Sequence, residues 1–339
     1  VARIMVNAVQ ANGGVWQMQD LAGYQIIERK PIEFDFQGAH IVSAPLPSSG
    51  GLVLGSLFGQ LAATTYDQQD EFTRRHLYIE ALRNSYYQRA EYLGDSDFTK
   101  DDGRWLLEPG VVQQMAARIS LKKANSSQNL KPIAAGTNGT QTTHFSILDS
   151  DGNRVAATLS VNLYFGSGFV AGNSGVLLNN EMDDFSAMPG EPNAYGLVGS
   201  QANSIEPGKR PLSSMSPTFI ETNDDVFILG TPGGSRIITM VAQGVLAALS
   251  GDSLAQIAAQ GRIHHQYLPD KVFYEPGVLN NQQQADLRLK GHVLEALTRE
   301  YGDMQAVRWQ LKSNKVTAAS DPRGEGLAQV EPVASKEKK

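Results

Sequence analysis

The chain has 339 residues, enough for one large domain or two ordinary ones with a sizeable hydrophobic core. Hydrophobic residues make up 41% and charged residues 19%, which is typical of a globular chain, and the net charge of −6 argues against a nucleic-acid-binding surface. The absence of cysteine excludes disulfides, thiolate metal sites and cysteine nucleophiles, and no apolar run approaches the ~20 residues that span a bilayer.

The first 120 residues alternate predicted helices with strand-like segments. Apolar residues between 71 and 93 are spaced by 7, 3, 4, 4 and 3 positions, which indicates one long amphipathic helix that ends at Gly94. A polar segment without periodicity, 121–140, follows these elements. In chain order, we predict helices at 2–10, 18–24, 50–63, 71–93 and 109–119, and strands at 24–36 and 40–44.

A β-hairpin is predicted directly after the polar segment. Residues 143–148 alternate like a strand, 149–153 form a turn, and 154–162 form the return strand. With the turn centred on Asp151, antiparallel partners have residue numbers that sum to about 302. This register places Ser160 opposite Thr142, with Asn162 just beyond.

The second half of the chain is rich in glycine turns. Residues 166–178 read as strands interrupted by glycines, and 188–208 as a surface loop long enough to form a lid. A strand at 226–229 leads through the turn 230–235 into a helix that ends near 249. We also predict helices at 254–262 and 285–290, extended segments at 266–272, 293–297 and 306–318, and a frayed tail from 332.

Thr142 has the position that an N-terminal nucleophile needs. Cleavage before it would create an α-amine with a pKa of about 7.7–8.0 in model compounds, which can accept the proton of the threonine hydroxyl. One residue would then supply both nucleophile and base. The alternative is that Thr142 only begins a strand, because threonine favours strands.

The turn 230–235 could stabilise an oxyanion. Gly233 and Gly234 leave free N–H groups at a helix N-terminus, where the helix dipole favours anions. Such donors lower a reaction barrier by roughly 3–4 kcal/mol each. A phosphate-binding loop is a poorer match because the Gly-Lys-Ser/Thr ending is absent. A plain strand-to-helix turn capped by Ser235 is the other alternative.

Other polar clusters also suit ligands. The serine turn 211–217 offers adjacent hydroxyls for a carboxylate, although such turns usually bond their own backbone. The cluster 179–184 holds three acids and two amides, which fits an ammonium group, a cation or a solvated loop. His264 and His265 would point to opposite faces of a strand, which disfavours a shared metal. The triplets 125–127 and 138–140 match the glycosylation pattern, which matters only in a secreted protein.

Together these stretches match one enzyme family. The matching sequences, in order, are QTTHFS (141–146), NNEMDDFS (179–186), KRPLSSMSPT (209–218) and GGSRII (233–238), with weaker echoes in PSSGG (47–51), EYLGD (91–95) and SDPR (320–323). Through them the chain resembles the γ-glutamyltransferases, also called γ-glutamyl transpeptidases or glutathione hydrolases, over nearly its whole length.

The resemblance implies an α+β fold, the four-layer αββα sandwich of N-terminal-nucleophile hydrolases. Family members are precursors, or zymogens, that cleave themselves into two subunits. The implied cut lies between Gln141 and Thr142. Residues 1–141 would then be the C-terminal part of a large subunit that ends in a flexible linker, 121–141, and 142–339 the small subunit. The family also has an upstream segment, with an arginine for the substrate α-carboxylate, so we expect that segment as a partner that precedes Val1.

The resemblance also implies roles for individual residues. Thr142 is the nucleophile, and Ser160 stands where the family usually has threonine. Asp184, with Glu181 and Asn162, matches the group that holds the substrate α-amine. The remaining matches are Ser213 and Ser214 for the α-carboxylate, Gly233 and Gly234 for the oxyanion, and Tyr195 in the 188–200 loop for the lid.

The implied reaction is γ-glutamyl transfer or hydrolysis. Glutathione or a related γ-glutamyl compound would acylate Thr142, and water, an amino acid or a dipeptide would accept the acyl group. The resemblance implies no metal or organic cofactor, no nucleic-acid partner, and a periplasmic or secreted location. Two alternatives remain: a β-lactam (cephalosporin) acylase-type amidohydrolase of the same fold, and an inactive, uncleaved chain that only binds ligand. The acidic cluster and the serine pair favour an amino-acid head group over the acylase.

Overall fold

The computed structural model describes residues 1–130 and 141–332. Parts of the predicted linker and tail, 131–140 and 333–339, lie outside the described residues, and so does the 138–140 triplet. The helices are α1 Ala2–Ala11, α2 Met18–Ala22, α3 Gly50–Ala63, α4 Glu71–Tyr92, α5 Pro109–Ala117, α6 Ile237–Leu249, α7 Leu254–Ala259 and α8 Asn281–Leu289. The strands are β1 Ile32–Phe36, β2 Ala39–Ser43, β3 Gln141–Leu148, β4 Arg154–Asn162, β5 Thr218–Glu221, β6 Asp225–Gly230, β7 Ile263–His264, β8 Val272–Tyr274, β9 Leu294–Ala296, β10 Gln305–Gln310 and β11 Lys315–Ser320.

An antiparallel six-stranded sheet organises the fold, with the order β1-β2-β5-β6-β10-β11. Three hairpins build it: β1–β2, β5–β6 and β10–β11. Strand β6 is buried along nearly its whole length, so its run of apolar residues is that of a strand covered on both faces.

Helices α3, α4 and α6 cover one face of this sheet. Their apolar residues share one core with strands β1, β2 and β6, in which Ile41, Leu57 and Val241 are fully buried. Helix α4 is capped by Asp70, whose carboxylate accepts a hydrogen bond from the N–H of Thr73. From this layer, α4 presents the polar side chain of Arg89 towards the site described below.

The hairpin β3–β4 lies against the other face, in contact with β6 and β10. Its register is the predicted one, with Thr142 opposite Ser160 and a constant residue sum along the ladder to Leu148 and Arg154. The approach to β6 is close: a Cβ atom on Gly230 would lie 2.3 Å from Cε1 of His144. Glycine at this position therefore allows the two layers to meet.

A smaller unit packs beside these layers. Strands β7, β8 and β9 form a three-stranded sheet in which β8 and β9 are parallel. With α8 they enclose a second apolar cluster that includes Leu279 and Leu287 and that Ile79 of α4 completes.

Several predicted elements differ from the structure. Only β1 forms within the predicted strand 24–36. Residues 166–178 form no strand but one isolated bridge between Val170 and Leu177, because the four glycines there all have positive φ. Helix α4 is buried on nearly all sides rather than amphipathic. The segment 306–318 is a hairpin of two strands, 266–271 is a loop before β8, and β5 was not predicted. Within the described residues, no helix has the length and hydropathy of a membrane span.

Candidate active site

Thr142 and Ser160 meet at the open end of the β3–β4 hairpin. Their hydroxyl oxygens are 3.2 Å apart, within hydrogen-bond distance. The Ser160 hydroxyl also accepts a hydrogen bond of 2.8 Å from the N–H of Asn162. Thr142 is half-buried, so its position is fixed by the strand while its side chain remains partly accessible from outside.

A β-bulge positions Asn162. The ladder shifts between Gln141 and Thr142, so that Gln141 faces Asn162 while Thr142 faces Ser160. The extra residue gives Asn162 a positive φ of 68° and keeps its side chain buried near Ser160. Its amide nitrogen donates to the carbonyl of Asn180, whereas its Oδ1 atom is buried without a hydrogen-bond partner. Oδ1 is therefore ready to accept a hydrogen bond from a ligand.

The acidic cluster forms a 3₁₀ turn, Glu181–Asp184, next to the hairpin. Burial and the neighbouring Glu181 carboxyl raise the pKa of Asp184 to about 8. Burial also raises the pKa of Glu181, although hydrogen bonding to Ser160 lowers it. Near neutral pH the Asp184 carboxyl therefore retains a proton. The Oε1 atom of Glu181 is buried without a partner, as is Oδ1 of Asn162.

The serine turn is tied to the start of α3. The N–H of Ser213 donates to the Pro47 carbonyl, and the Ser213 carbonyl accepts from both the N–H and the hydroxyl of Ser49. From α4, Arg89 donates to the hydroxyls of Ser49 at 2.8 Å and Ser214 at 3.1 Å. The Arg89 guanidinium is buried, and burial lowers its pKa. A buried positive charge is thus hydrogen-bonded to Ser214, one of the two serines predicted to bind a carboxylate.

The glycine turn connects β6 to α6 with unusual backbone angles. Gly233 has φ 148° and Gly234 has φ 55°. A 3₁₀ turn begins at Gly234, and no side chain caps the N-terminus of α6. The alternative in which Ser235 caps the helix is therefore wrong, and the turn's N–H groups are not engaged by a cap.

Tyr195 lies directly over this turn. A Cβ atom on Gly234 would be 2.2 Å from Cε1 of its ring. The Tyr195 hydroxyl donates a 2.6 Å hydrogen bond to the carbonyl of Asn162. Burial raises its pKa, and so does the nearby Asp184 carboxyl. The 188–200 loop therefore covers the site with Tyr195 and Leu197, and Asn193 Nδ2 donates to Oδ1 of Asp184 at 3.4 Å.

One small cavity brings these groups together. Its volume is about 20 Å³, and Tyr195 is among the residues that line it. The sequence-predicted residues that line it are Thr142, Ser160, Asn162, Glu181, Asp184, Tyr195, Ser213, Ser214 and Gly234. Gly233 lines an adjacent cavity instead, on the other side of the turn. Residues far apart in sequence thus surround the Thr142 hydroxyl.

Comparison with known proteins agrees with this geometry. The family model described as gamma-glutamyltranspeptidase matches residues 1–330. The chain belongs to the gamma-glutamyltranspeptidase family. A glutathione hydrolase proenzyme of Pseudomonas aeruginosa is 42% identical, over 97% of this chain and 60% of the relative. The chain thus spans about three-fifths of the length of this curated relative and between 51% and 56% of two others.

Two solved structures are similar to this chain and show its fold class. The gamma-glutamyltranspeptidase from Pseudomonas nitroreducens complexed with L-DON is 45% identical, covering 56% of this chain and all of that chain, with a TM-score of 0.52. A cephalosporin acylase from Bacillus halodurans has a TM-score of 0.80 over 97% of this chain and 58% of that chain, at 21% identity. The second likeness shows the fold alone. The predicted α+β sandwich of N-terminal-nucleophile hydrolases and the family assignment are confirmed.

The sequence-based prediction missed Arg89 and Asn203. The side chain of Asn203 donates to the Asp184 carbonyl and accepts from the N–H of Leu212, so it joins the acidic turn to the serine turn. Arg89 lies in α4, where a charged residue ordinarily faces solvent. One signal was available in the sequence. Helix α4 contains many polar residues, and a helix buried on nearly all sides must give some of them partners inside the protein.

Other candidate ligands have partners elsewhere in the fold. His264 bonds Thr239 and Gln266, whereas His265 bonds Asp270. Separately, His76, Glu80 and His292 have potential metal-ligand atoms within 4.8 Å of one another. There His76 Nδ1 and His292 Nε2 are 2.7 Å apart, and Glu80 already accepts from Arg83 and Asn125. These hydrogen bonds occupy His76 Nδ1, His292 Nε2 and both carboxylate oxygens of Glu80, whereas His292 Nδ1 is buried without a hydrogen-bond partner.

Proposed function

We propose that this chain carries the catalytic threonine of a γ-glutamyltransferase or glutathione hydrolase. The observation that carries the proposal is the single cavity lined by Thr142, Asp184, Ser214 and Gly234. It combines a nucleophile, an anionic group, a hydroxyl pair backed by a cation, and a glycine turn. An α-amino acid with an acyl side chain offers the complementary set of groups.

Recognition of the γ-glutamyl head group follows from charge and burial. The unpartnered Oδ1 of Asn162 and Oε1 of Glu181 would accept hydrogen bonds from the α-ammonium group, and Asp184 would supply negative charge. Ser213 and Ser214 would donate to the α-carboxylate. The Arg89 cation behind Ser214 favours an anion there, because the buried charge is not screened by water. A free amino-acid head group is therefore favoured over the acyl groups of a cephalosporin-type acylase.

Acyl transfer would proceed in two steps. The Oγ1 atom of Thr142 attacks the γ-carbonyl carbon, its proton passes to the free α-amine of Thr142, and N–H groups of Gly233 and Gly234 stabilise the oxyanion. The C–N bond breaks, and the leaving amine takes the proton. Water or the amine of an acceptor amino acid or dipeptide then attacks the acyl-threonine carbonyl and releases Thr142. Glutathione and related γ-glutamyl compounds are the proposed donors.

The same hydroxyl would create the N-terminus. Attack of Thr142 Oγ1 on the Gln141 carbonyl gives an ester that water hydrolyses, leaving residues 142–339 as a small subunit. Residues up to Gln141 become the end of the large subunit. We propose a periplasmic or secreted location on the strength of the family alone.

Substitution of Thr142 tests the proposal. In the complete protein, Thr142→Ala should abolish both cleavage at Gln141–Thr142 and turnover of γ-glutamyl-p-nitroanilide. Gel electrophoresis with N-terminal sequencing, and release of p-nitroaniline, are the two measurements. The matched variant Thr142→Ser keeps a hydroxyl and should retain both at reduced rates. Turnover that survives in Thr142→Ala would overturn the assignment.

A further inference from the structure

The loop that carries Tyr195 is held on its inner side by Gln266, a buried residue of the segment between β7 and β8. The Nε2 atom of Gln266 donates to the carbonyl oxygens of Tyr195 and Gly196, each at 3.1 Å. The carbonyl of Leu268 lies at the same distance. These hydrogen bonds fix the backbone of the loop at the residue whose ring covers the site.

His264 fixes the orientation of the Gln266 amide. The Nε2 atom of His264 is 2.8 Å from Oε1 of Gln266. Because an amide oxygen can only accept, this Nε2 atom carries the hydrogen. Burial lowers the pKa of His264 to about 3, so the ring is neutral at pH 7 and its Nδ1 atom accepts from the Thr239 hydroxyl at 2.7 Å. The amide oxygen therefore faces His264, and Nε2 faces the loop.

The hydrogen bonds run without interruption from α6 to the loop. Thr239 lies in the first turn of α6, directly after the glycine turn, and Thr239, His264 and Gln266 are all buried. Hydrogen bonds in such a low-dielectric setting are strong, and removing one donor leaves its acceptors unsatisfied. The glycine turn and the Tyr195 loop are thus anchored to the same helix.

The opposite side of the loop contacts the acidic turn. The N–H of Ala194 donates to Oδ2 of Asp183 at 3.1 Å, and Nδ2 of Asn193 donates to Oδ1 of Asp184 at 3.4 Å. The position of the loop therefore affects the groups that are proposed to hold the substrate ammonium. Gln266 is not among the described residues that line the cavity beside Thr142, so it reaches a substrate only through the loop.

We propose that Gln266 is a positioning residue, which sets the fraction of molecules in which the 188–200 loop lies over Thr142. Its effect on turnover rests on the proposed function, whereas its effect on the loop does not. When the Nε2 donor is lost, the carbonyls of Tyr195 and Gly196 lose their partner and the loop leaves the site more often. The contacts of Asn193 and Ala194 with the acidic turn are then lost as well, and the substrate binds more weakly.

Hydrogen exchange of the complete protein, followed by mass spectrometry, tests the effect on the loop. Gln266→Met removes the donor without adding a charge. Amides within 188–200 should exchange about tenfold faster in this variant, whereas those of β6 and α6 should exchange as in the parent. Gln266→Glu keeps the acceptor for His264 and the side-chain shape, and should act in the same direction if the methionine variant does not fold.

Gln243→Met is the matched control. Gln243 is a glutamine of α6 that also donates to a backbone carbonyl, that of Gly261 at 3.2 Å, but this carbonyl lies outside the loop. Exchange within 188–200 should be unchanged in the control. Unchanged loop exchange in both Gln266 variants overturns the inference, and so does an equal increase in every part of the protein, which would indicate general destabilisation.

Kinetics of the self-processed enzyme test the consequence for substrate. In the Gln266 variants, KM for γ-glutamyl-p-nitroanilide should rise about tenfold, with a smaller change in kcat, because head-group binding rather than the chemical step is affected. Faster loop exchange with an unchanged KM would overturn the positioning role. The two proposals remain distinguishable: absence of turnover in the parent would contradict the proposed function, while the exchange measurement would still decide whether Gln266 holds the loop.

Discussion

The ring of Tyr195 rests on Gly234, and this contact leaves no room for a side chain at residue 234. A Cβ atom there would be 2.2 Å from Cε1 and 2.3 Å from Cδ1 of the tyrosine. Since the Tyr195 hydroxyl also holds the Asn162 carbonyl, the two contacts fix the loop over the nucleophile. The cavity beside this contact has a volume of about 20 Å³, which is too small for an amino-acid ligand unless a lining side chain moves.

Gly234→Ala should therefore damage the site by displacing Tyr195. We expect at least a tenfold loss of kcat/KM for γ-glutamyl-p-nitroanilide and easier proteolysis within the 188–200 loop. Gly277→Ala is the matched control, because Gly277 also has positive φ (77°) but has no atom within 4 Å of an added Cβ. The control isolates the backbone penalty, about 1 kcal/mol. Equal effects of the two substitutions would contradict a role for the Tyr195 contact.

Ser160 should support self-cleavage through its hydroxyl. It lies 3.2 Å from Thr142 Oγ1 and anchors the N–H of Asn162, so Ser160→Ala removes both contacts. We expect cleavage at Gln141–Thr142 to slow by about ten- to a hundredfold, a loss of roughly 1.4–2.8 kcal/mol. Ser160→Thr, which restores the residue usual in the family, should cleave at a rate near that of the parent. The cleavage rates of the parent, Ser160→Ala and Ser160→Thr proteins are measured from the time course of precursor loss on gels.

Affinity for the amino-acid head group should depend on pH through Asp184. Its pKa is raised to about 8, so at lower pH the carboxyl holds a proton that an ammonium ligand must displace. Binding of L-glutamate should weaken as pH falls from 8 to 6, approaching about tenfold per pH unit. Titration calorimetry at several pH values measures this slope.

Two substitutions sharpen the pH test. Asp184→Asn should bind glutamate weakly at every pH, with a flat profile. Asp183→Asn should keep the slope but move its midpoint to lower pH, because the Asp183 charge helps to raise the pKa of Asp184. A slope that persists in Asp184→Asn would assign the titration to another group.

Arg89→Lys should impair substrate binding more than the chemical step. The guanidinium bonds Ser49 and Ser214 at once, which a lysine ammonium on a different stem does not reproduce. We expect KM for γ-glutamyl-p-nitroanilide to rise about tenfold, with a smaller change in kcat. Arg75→Lys on the same helix is the control, since its ion pair with Glu71 is at the surface and contributes at most about 1 kcal/mol. An unchanged KM in Arg89→Lys would remove Arg89 from the head-group site.

Local sequence was sufficient to predict the hairpin and its register. A tight turn fixes which residues face each other, so counting from Asp151 placed Ser160 opposite Thr142. The bulge that positions Asn162 was not predictable in this way, because it depends on how the strand ends against neighbouring layers. The turn 230–235 was likewise recognisable from its glycines. The sequence did not show why residue 234 must be glycine, because the ring that leaves no room for a side chain there belongs to Tyr195 in a distant loop.

Assembly of the site could not be derived from local patterns. Arg89 and Ser214 are 125 residues apart in sequence, and only tertiary packing brings them together. The acidic cluster 179–184 and the serine turn were identified as ligand candidates, and the family resemblance linked them to Thr142. Segments such as 166–178 were misassigned because glycines between β-branched residues fit a strand pattern equally well until their positive φ values are known.

The six-stranded sheet has a consequence for a protein cut before Thr142. Strand β2 from the first segment is hydrogen-bonded to β5 from the second, and Arg83 of the first pairs with Asp270 of the second. The two products would be a non-covalent heterodimer that shares one sheet and one core. Dilution should not dissociate it, and neither polypeptide should fold when expressed without the other.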